Sequence, residues 1–158
     1  MEKRISCRAI VFQKNNLLAM YRNKNGNEYY TLPGGGMERN ESEIECVKRE
    51  CLEEFGIVVE PIKKLYILED MKTIQNYYYC NWVSGEIGTG TGEEFQGDNG
   101  KGVYIPSKLN IRDLQDLPVV PPEIKERIIK DYNSDVNFVG DRFAGVESIV
   151  KIETNFNG

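Results

Sequence analysis

Four charged residues near the middle of the chain have a spacing that suits binding of a metal ion. They are Arg49, Glu50, Glu53 and Glu54. In a helix, positions i, i+3 and i+4 share a face, so the three glutamates cover an arc of roughly 100°. A solvated acidic face is the ordinary interpretation of such a cluster. The alternative is a site for a hard divalent cation such as Mg2+, which prefers carboxylate oxygens.

The glutamates occupy unfavourable positions if no cation binds them. Glu50 and Glu54 are like charges at i and i+4, which costs about 0.2–0.5 kcal/mol. They also lie near the C-terminal end of the predicted helix, where the macrodipole disfavours anions. A bound divalent cation would reverse both penalties. Arg49, which is four residues from Glu45 and from Glu53, would either hold Glu53 in position or approach a phosphate.

Three consecutive glycines, Gly34, Gly35 and Gly36, precede this helix. Glycine allows positive φ angles and a close approach of backbone groups to a ligand. A glycine-rich loop alone more often marks a turn. With the carboxylates about four helical turns further on, it resembles a cradle for a metal ion and a diphosphate.

Helix signals bracket the glutamates. Ser42 and Glu45 predict a capping box at the start of the helix, and Gly56 predicts its end. The positions predicted to face the core are Ile44, Val47, Cys51 and Phe55.

The remaining elements predict an α/β fold with a mixed β-sheet. A second short helix is predicted at Pro121–Asp131, and Gly85–Gly102 is predicted to be a long mobile loop. Strand-forming runs cover the segments RISCRAIVF, LLAMY, EYYTLP, IVVEPIKKLYIL and IQNYYYCNWVSGEI. Strands mixed with two helices favour a layered α/β architecture.

Composition narrows the class of protein. The chain has 158 residues, a net charge of -5 and no histidine. A negative chain is not expected to bind nucleic acid polymers or membranes, which require clustered Lys and Arg. The absence of histidine excludes Ser-His-Asp and Cys-His catalysis, so a general base must be a carboxylate, Lys, Tyr or thiolate. With no transmembrane run, no signal peptide and four cysteines without CxxC pairing, we expect a cytoplasmic protein with buried thiols.

The order of these residues resembles the Nudix box, GX5EX7REUXEEXGU, where U is aliphatic. Gly35 is followed by five residues and Glu41, then by seven residues and the run Arg49–Ile57, RECLEEFGI. Cys51 alone departs, placing a small apolar side chain in an aliphatic slot. The resemblance covers about residues 4–131.

The resemblance implies a Nudix α/β/α sandwich over residues 1–135 that hydrolyses a nucleoside diphosphate linked to another moiety. It implies a Mg2+ cofactor, with Mn2+ as a substitute, and metal ligands Glu50, Glu53, Glu54 and a backbone carbonyl of Gly34. Arg49 would orient a glutamate, and Glu41 would support the junction of loop and helix. The predicted base is Glu50, with Glu93 and Glu94 as rivals. The substrate-binding residues would be Gly35, Gly36, Arg22 and Glu41.

Substrate identity stays open within this resemblance. The proline typical of many ADP-ribose hydrolases would fall at Lys72, and the tyrosine of diadenosine polyphosphate hydrolases near Thr73 or Ile74. Since neither mark is present, the chain resembles the MutT-like group, which acts on small nucleotides. The alternative is a nucleotide-binding regulator with weak catalysis. Residues 136–158 are predicted to form a strand or hairpin that packs on the domain or on the partner of a homodimer.

Overall fold

A nine-stranded sheet spans the part of the chain that the computed structural model describes, residues 2–87, 102–134 and 149–153. The helices are α1 at Glu43–Phe55 and α2 at Pro122–Ser134, with a short 3-10 helix at Leu114–Asp116. The strands are β1 Arg4–Gln13, β2 Asn16–Lys24, β3 Asn27–Thr31, β4 Gly34–Gly36, β5 Ile57–Glu69, β6 Thr73–Gly85, β7 Val103–Asn110, β8 Val119–Val120 and β9 Val150–Glu153. Parallel and antiparallel pairs occur together, which confirms the predicted mixed sheet and the α/β/α sandwich.

Strand β1 organises the centre of the sheet. The sheet order is β8-β3-β2-β1-β6-β5-β9, with β7 paired to β2 and β4 paired to β1. β1 runs parallel to β6 from Arg4 to Val11 and antiparallel to β4, where Ser6 is opposite Gly36 and Arg8 is opposite Gly34. The three glycines are therefore held as a short strand against β1.

Helix α1 has the predicted ends. The Ser42 hydroxyl accepts a hydrogen bond from the Glu45 N–H, and the Glu45 carboxylate accepts one from the Ser42 N–H, both at 3.1 Å. Gly56 has φ 74°, the left-handed conformation of a C-terminal stop that glycine adopts without a Cβ penalty. The capping box fixes where the helix begins, and so fixes which way its glutamates face.

The predicted core face of α1 is wrong at Ile44. Val47, Cys51 and Phe55 are fully buried, but Ile44 is 45% exposed. Glu43 takes the sheet side of the first turn, where its Oε1 accepts hydrogen bonds from Lys64 at 2.9 Å and Tyr78 at 2.7 Å. One residue further on, about 100° around the helix, Ile44 points to solvent.

Two apolar clusters lie on opposite faces of β1. Residues Cys7, Ala9 and Val11 pack with α1, while Ile10 packs in the cluster that includes Ile124 and Ile128 of α2. All four cysteines are buried and free, as predicted. Neither helix in the described ranges is long and apolar enough to span a bilayer.

Part of the chain's end lies in the sheet. β9 pairs in parallel with β5 at Tyr66–Glu69. Glu69 bridges two lysines, Lys3 at 2.7 Å and Lys151 at 3.3 Å. The predicted division of the chain at residue 135 falls outside the described residues and stays a prediction, as does the predicted mobility of most of Gly85–Gly102.

A buried hydrogen bond fastens α2 to the sheet. The Tyr66 hydroxyl donates to Asp131 Oδ2 at 2.6 Å, and the Arg127 Nε donates to the same oxygen at 3.0 Å. Tyr66 is fully buried and Asp131 is 5% exposed. A donor lost from such a site leaves the carboxylate with less compensation for its desolvation.

Tyr66→Phe should lower the free energy of unfolding by about 1–3 kcal/mol, because it removes one donor from a buried carboxylate. Urea denaturation at pH 7 measures the change. Tyr30→Phe is the matched control, since the Tyr30 hydroxyl makes no hydrogen bond within the described residues. Equal stability of the two variants would contradict this role for Tyr66.

Candidate active site

The glycines of β4 bring backbone close to both β1 and α1. Gly34 has φ 153°, and a Cβ there would clash with the Cys7 carbonyl oxygen and lie 2.7 Å from the Arg8 Cα. A Cβ at Gly35 would lie 2.6 Å from Oε1 of Glu50. Glycine is therefore needed at position 34, where a Cβ would meet the β1 backbone, whereas a Cβ at position 35 would displace the Glu50 carboxylate.

Glu54 links the helix to the same loop. Its Oε1 accepts a hydrogen bond from the Gly34 N–H at 2.7 Å, and the residue is 9% exposed. A carboxylate buried to this degree requires strong partners. The contact joins a helix residue to a backbone group twenty positions earlier in the chain.

Arg49 lies among the carboxylates of this site. Its Nε and Nη2 donate to the two oxygens of Glu41 at 2.6 and 3.0 Å, and Nη2 also donates to the Gly36 carbonyl at 3.1 Å. Nη1 donates to Glu50 at 2.9 Å and to Glu53 at 3.3 Å. A guanidinium has five N–H donors, and these five contacts engage them all. The sequence left two roles open for Arg49, holding a glutamate or approaching a phosphate. These contacts favour the first role.

The carboxylates around Arg49 differ in basicity. The Arg49 hydrogen bonds lower the pKa of Glu41 to about 2. Burial raises the pKa of Glu50 above its ordinary value, against the opposing effect of Arg49. Burial also raises the pKa of Cys46 to about 11, so this thiol is neutral at pH 7. Of the two carboxylates, Glu50 is therefore the stronger base.

The carboxylate and carbonyl oxygens of this site are of the kind that bind a hard divalent cation, but the side chains are not arranged around a common point. Within residues 2–87, 102–134 and 149–153, no three carboxylates or thiols meet as ready-made metal ligands. Glu50 and Glu53 are turned toward the Arg49 guanidinium, and Glu54 is turned toward Gly34. Carboxylate and backbone carbonyl oxygens are the ligands that Mg2+ prefers. The absence of a Cβ at Gly35 lets the Glu50 carboxylate lie directly against the backbone of the glycine strand.

Other predicted residues lie elsewhere or outside the described chain. Arg22 lies on β2 between two tyrosines, with its Nη2 donating to the Tyr104 hydroxyl at 2.6 Å and its guanidinium 5.5 Å from the Tyr29 ring centroid. Within the described residues it makes no hydrogen bond or ion pair with β4 or the α1 glutamates. Glu93 and Glu94 lie outside the described residues, so their role as a rival base stays a prediction.

Sequence reasoning missed two arginines beside the loop. Arg8 donates from Nη1 to the Leu32 carbonyl at 2.7 Å, and its charge acts to lower the pKa of Glu50. The Arg4 guanidinium lies against Gly36. The available signal was the alternation in RISCRAIVF, which puts residues 4 and 8 on one face of a strand. What the sequence did not show is that this strand pairs with the glycines.

Comparison with known proteins agrees with the geometry. The family model for the NUDIX domain matches residues 2–99, which is more than half of the chain. The chain belongs to the Nudix family. As a member it is a hydrolase that acts on phosphoric anhydride bonds.

Three solved structures have the same fold. A NUDIX hydrolase from Nitrosomonas europaea is 16% identical with a TM-score of 0.69, over 98% of this chain and 81% of that one. An ADP-ribose pyrophosphatase from Streptococcus suis is 19% identical with a TM-score of 0.62, over 97% and 100%. A MutT NUDIX hydrolase from Burkholderia pseudomallei is 20% identical with a TM-score of 0.63, over 80% and 98%.

Replacing Arg49 in this Nudix hydrolase should change the titration of Glu41. In Arg49→Met the pKa of Glu41 should rise from about 2 toward its ordinary 4.5, because the Arg49 hydrogen bonds are the largest cause of the low value. Since the folded-state pKa is depressed, the associated stabilisation is present above the unfolded pKa and is lost as the pH falls through the folded pKa. NMR titration of the Glu41 carboxyl carbon measures the shift.

Lys48→Met serves as the control for this titration. Lys48 is on the same helix and carries the same charge, but its ion pair is with Glu60 at 3.5 Å. The pKa of Glu41 should stay low in this variant. A low Glu41 pKa in Arg49→Met as well would contradict the assigned pairing.

Proposed function

We propose that this Nudix hydrolase is a Mg2+-dependent pyrophosphohydrolase that cleaves a nucleoside diphosphate linked to another moiety. The observation that supports this most directly is the junction of β4 and α1. Glu54 bonds the Gly34 backbone at 2.7 Å, and Glu50 fills the space that a side chain at Gly35 would occupy. Carboxylates and glycine backbone brought together at one point form a place where a metal ion and a diphosphate can meet.

The proposed metal ligands are Glu50, Glu53, Glu54 and the Gly34 carbonyl. Glu53 is the most accessible of the three glutamates, with its side chain 44% exposed. Bound at this site, Mg2+ supplies positive charge to the diphosphate oxygens and acidifies a coordinated water. Mn2+ has similar ligand preferences and should substitute for it.

The residues of the chain have separate tasks in the proposed reaction. Water attacks a phosphorus atom of the diphosphate, the bond from that phosphorus to the bridging oxygen breaks, and a proton of the water passes to a carboxylate. Glu50 is the proposed base because burial raises its pKa. Arg49 positions Glu50 and Glu53, and Glu41 holds Arg49 through two hydrogen bonds at 2.6 and 3.0 Å.

The substrate is proposed to be a nucleoside triphosphate or a related small nucleotide. The proline and the tyrosine typical of two other Nudix groups are missing, because Lys72, Thr73 and Ile74 occupy those positions. Their absence favours the MutT-like group. Solved structures with the same fold include a protein described as a UDP-X diphosphatase and one described as an ADP-ribose pyrophosphatase. Their descriptions share the chemistry of a diphosphate bond and differ in the attached group.

Glu53→Gln and Glu54→Gln should each lower kcat by about 100-fold or more, since each removes a charge that holds the metal ion. The folds should persist, because the amide oxygen introduced by Glu54→Gln can still accept from the Gly34 N–H. The measurement is release of phosphate or pyrophosphate from nucleoside triphosphates, nucleotide sugars, ADP-ribose and dinucleoside polyphosphates, with Mg2+ and with chelator.

Glu60→Gln is the control for these variants, because Glu60 is a surface residue whose side chain is 57% exposed. It should retain full activity. Unchanged turnover in Glu53→Gln and Glu54→Gln would contradict the metal-ligand assignment. Tight nucleotide binding by the unaltered protein without turnover of any compound would instead support a regulator.

A further inference from the structure

A cavity of about 820 Å³ adjoins the proposed site on the side of β1. It lies between the first residues of the chain and the loop of residues 36–41, and Arg49 and Glu50 line its inner end. Its volume exceeds what a metal ion and one phosphate need, so it has room for a further part of a substrate.

Arg4 lines this cavity in a defined position. Its Nη2 and Nε lie 3.1 and 3.3 Å from where a Cβ of residue 36 would be, so the guanidinium rests on the bare backbone of Gly36. Any side chain at position 36 would compete with it for this space. Arg4 and Gly36 together therefore place a positive charge at the end of the glycine strand.

Four cations and four carboxylates line the cavity, and they are not all paired with one another. Glu41 and Glu50 are bonded to Arg49, which has no donor left for a ligand. Lys3 is paired with Glu69 at 2.7 Å. Arg4 makes no side-chain hydrogen bond or ion pair within the described residues.

Arg39, which also lines the cavity, lacks such a partner within the described ranges as well. Of the carboxylates in the lining, Glu38 is ion-paired with Arg49 at 3.7 Å. Glu2 is the one lining carboxylate that makes no side-chain hydrogen bond or ion pair within the described residues. Arg4 and Arg39 thus have no carboxylate partner within those ranges, and each can bind an anionic group of a ligand.

We propose that this cavity receives the leaving moiety of the substrate and that Arg4 binds a phosphate on it. This inference rests on the proposed function and adds a preference to it. The enzyme should favour nucleoside diphosphates whose second moiety is itself anionic, as in a nucleoside triphosphate, over those whose second moiety is an uncharged sugar. A guanidinium suits this task because its planar fork matches the oxygens of a phosphate.

The test compares a nucleoside triphosphate with a nucleotide sugar of the same base in the unaltered enzyme and in Arg4→Gln. Arg4→Gln should lower kcat/KM for the triphosphate about tenfold, mainly through KM, because one charge-assisted contact is lost. The value for the nucleotide sugar should change by less than about threefold. Arg112→Gln makes the same charge change on an exposed residue outside the cavity and should alter neither value.

A binding measurement makes the test independent of turnover. Titration calorimetry with inorganic tripolyphosphate should show an affinity about tenfold weaker in Arg4→Gln, with partial recovery in Arg4→Lys, which restores the charge without the fork. Equal losses for both substrates, or unchanged tripolyphosphate affinity, would overturn the assignment of Arg4. If the unaltered protein hydrolyses neither substrate, the proposed function fails, and tripolyphosphate affinity still decides whether Arg4 binds the anion.

Discussion

The site depends on the absence of side chains at Gly34 and Gly35. Gly34 allows β4 to pair against β1 where any Cβ would clash with the Cys7 carbonyl, and Gly35 gives its space to Glu50. Because β1 also pairs with β6 along most of its length, the glycines are fixed to the centre of the sheet. The three glycines are thus part of the sheet, and the hydrogen bond between Glu54 and Gly34 at 2.7 Å joins α1 to them.

A second feature of the site is the concentration of negative charge at the C-terminal half of α1. The helix has no basic residue in its last turn, although the macrodipole favours one there. Arg49 offsets part of the charge by bonding Glu41, Glu50 and Glu53 simultaneously. Acidic residues at this end cost helix stability, and under the proposed function a bound divalent cation offsets that cost.

Features that depend on local geometry were predictable from the sequence. Helical spacing places Glu50, Glu53 and Glu54 on one side, and the capping box of Ser42 and Glu45 forms because its partners are three residues apart. Contacts between distant segments were not predictable in the same way. Ile44 is exposed because Glu43 bonds residues of β5 and β6. The place of Arg4 depends on a pairing between β1 and β4 that no local pattern encodes.

We propose that the missing side chain at Gly35 leaves room for the Glu50 carboxylate to join Glu53, Glu54 and the Gly34 carbonyl in binding a divalent cation. Titration with Mn2+, followed by the electron paramagnetic resonance signal of the free ion, tests it in the unaltered protein, in Gly35→Ala and in Gly26→Ala. Gly26 has φ 86°, so Gly26→Ala strains the turn between β2 and β3, but a Cβ there meets nothing within 4 Å and does not touch the site. We predict saturable binding in the unaltered protein and in Gly26→Ala, with affinity about tenfold weaker in Gly35→Ala. Equal affinity in all three proteins, or no saturable binding in the unaltered one, would contradict the proposed cation site.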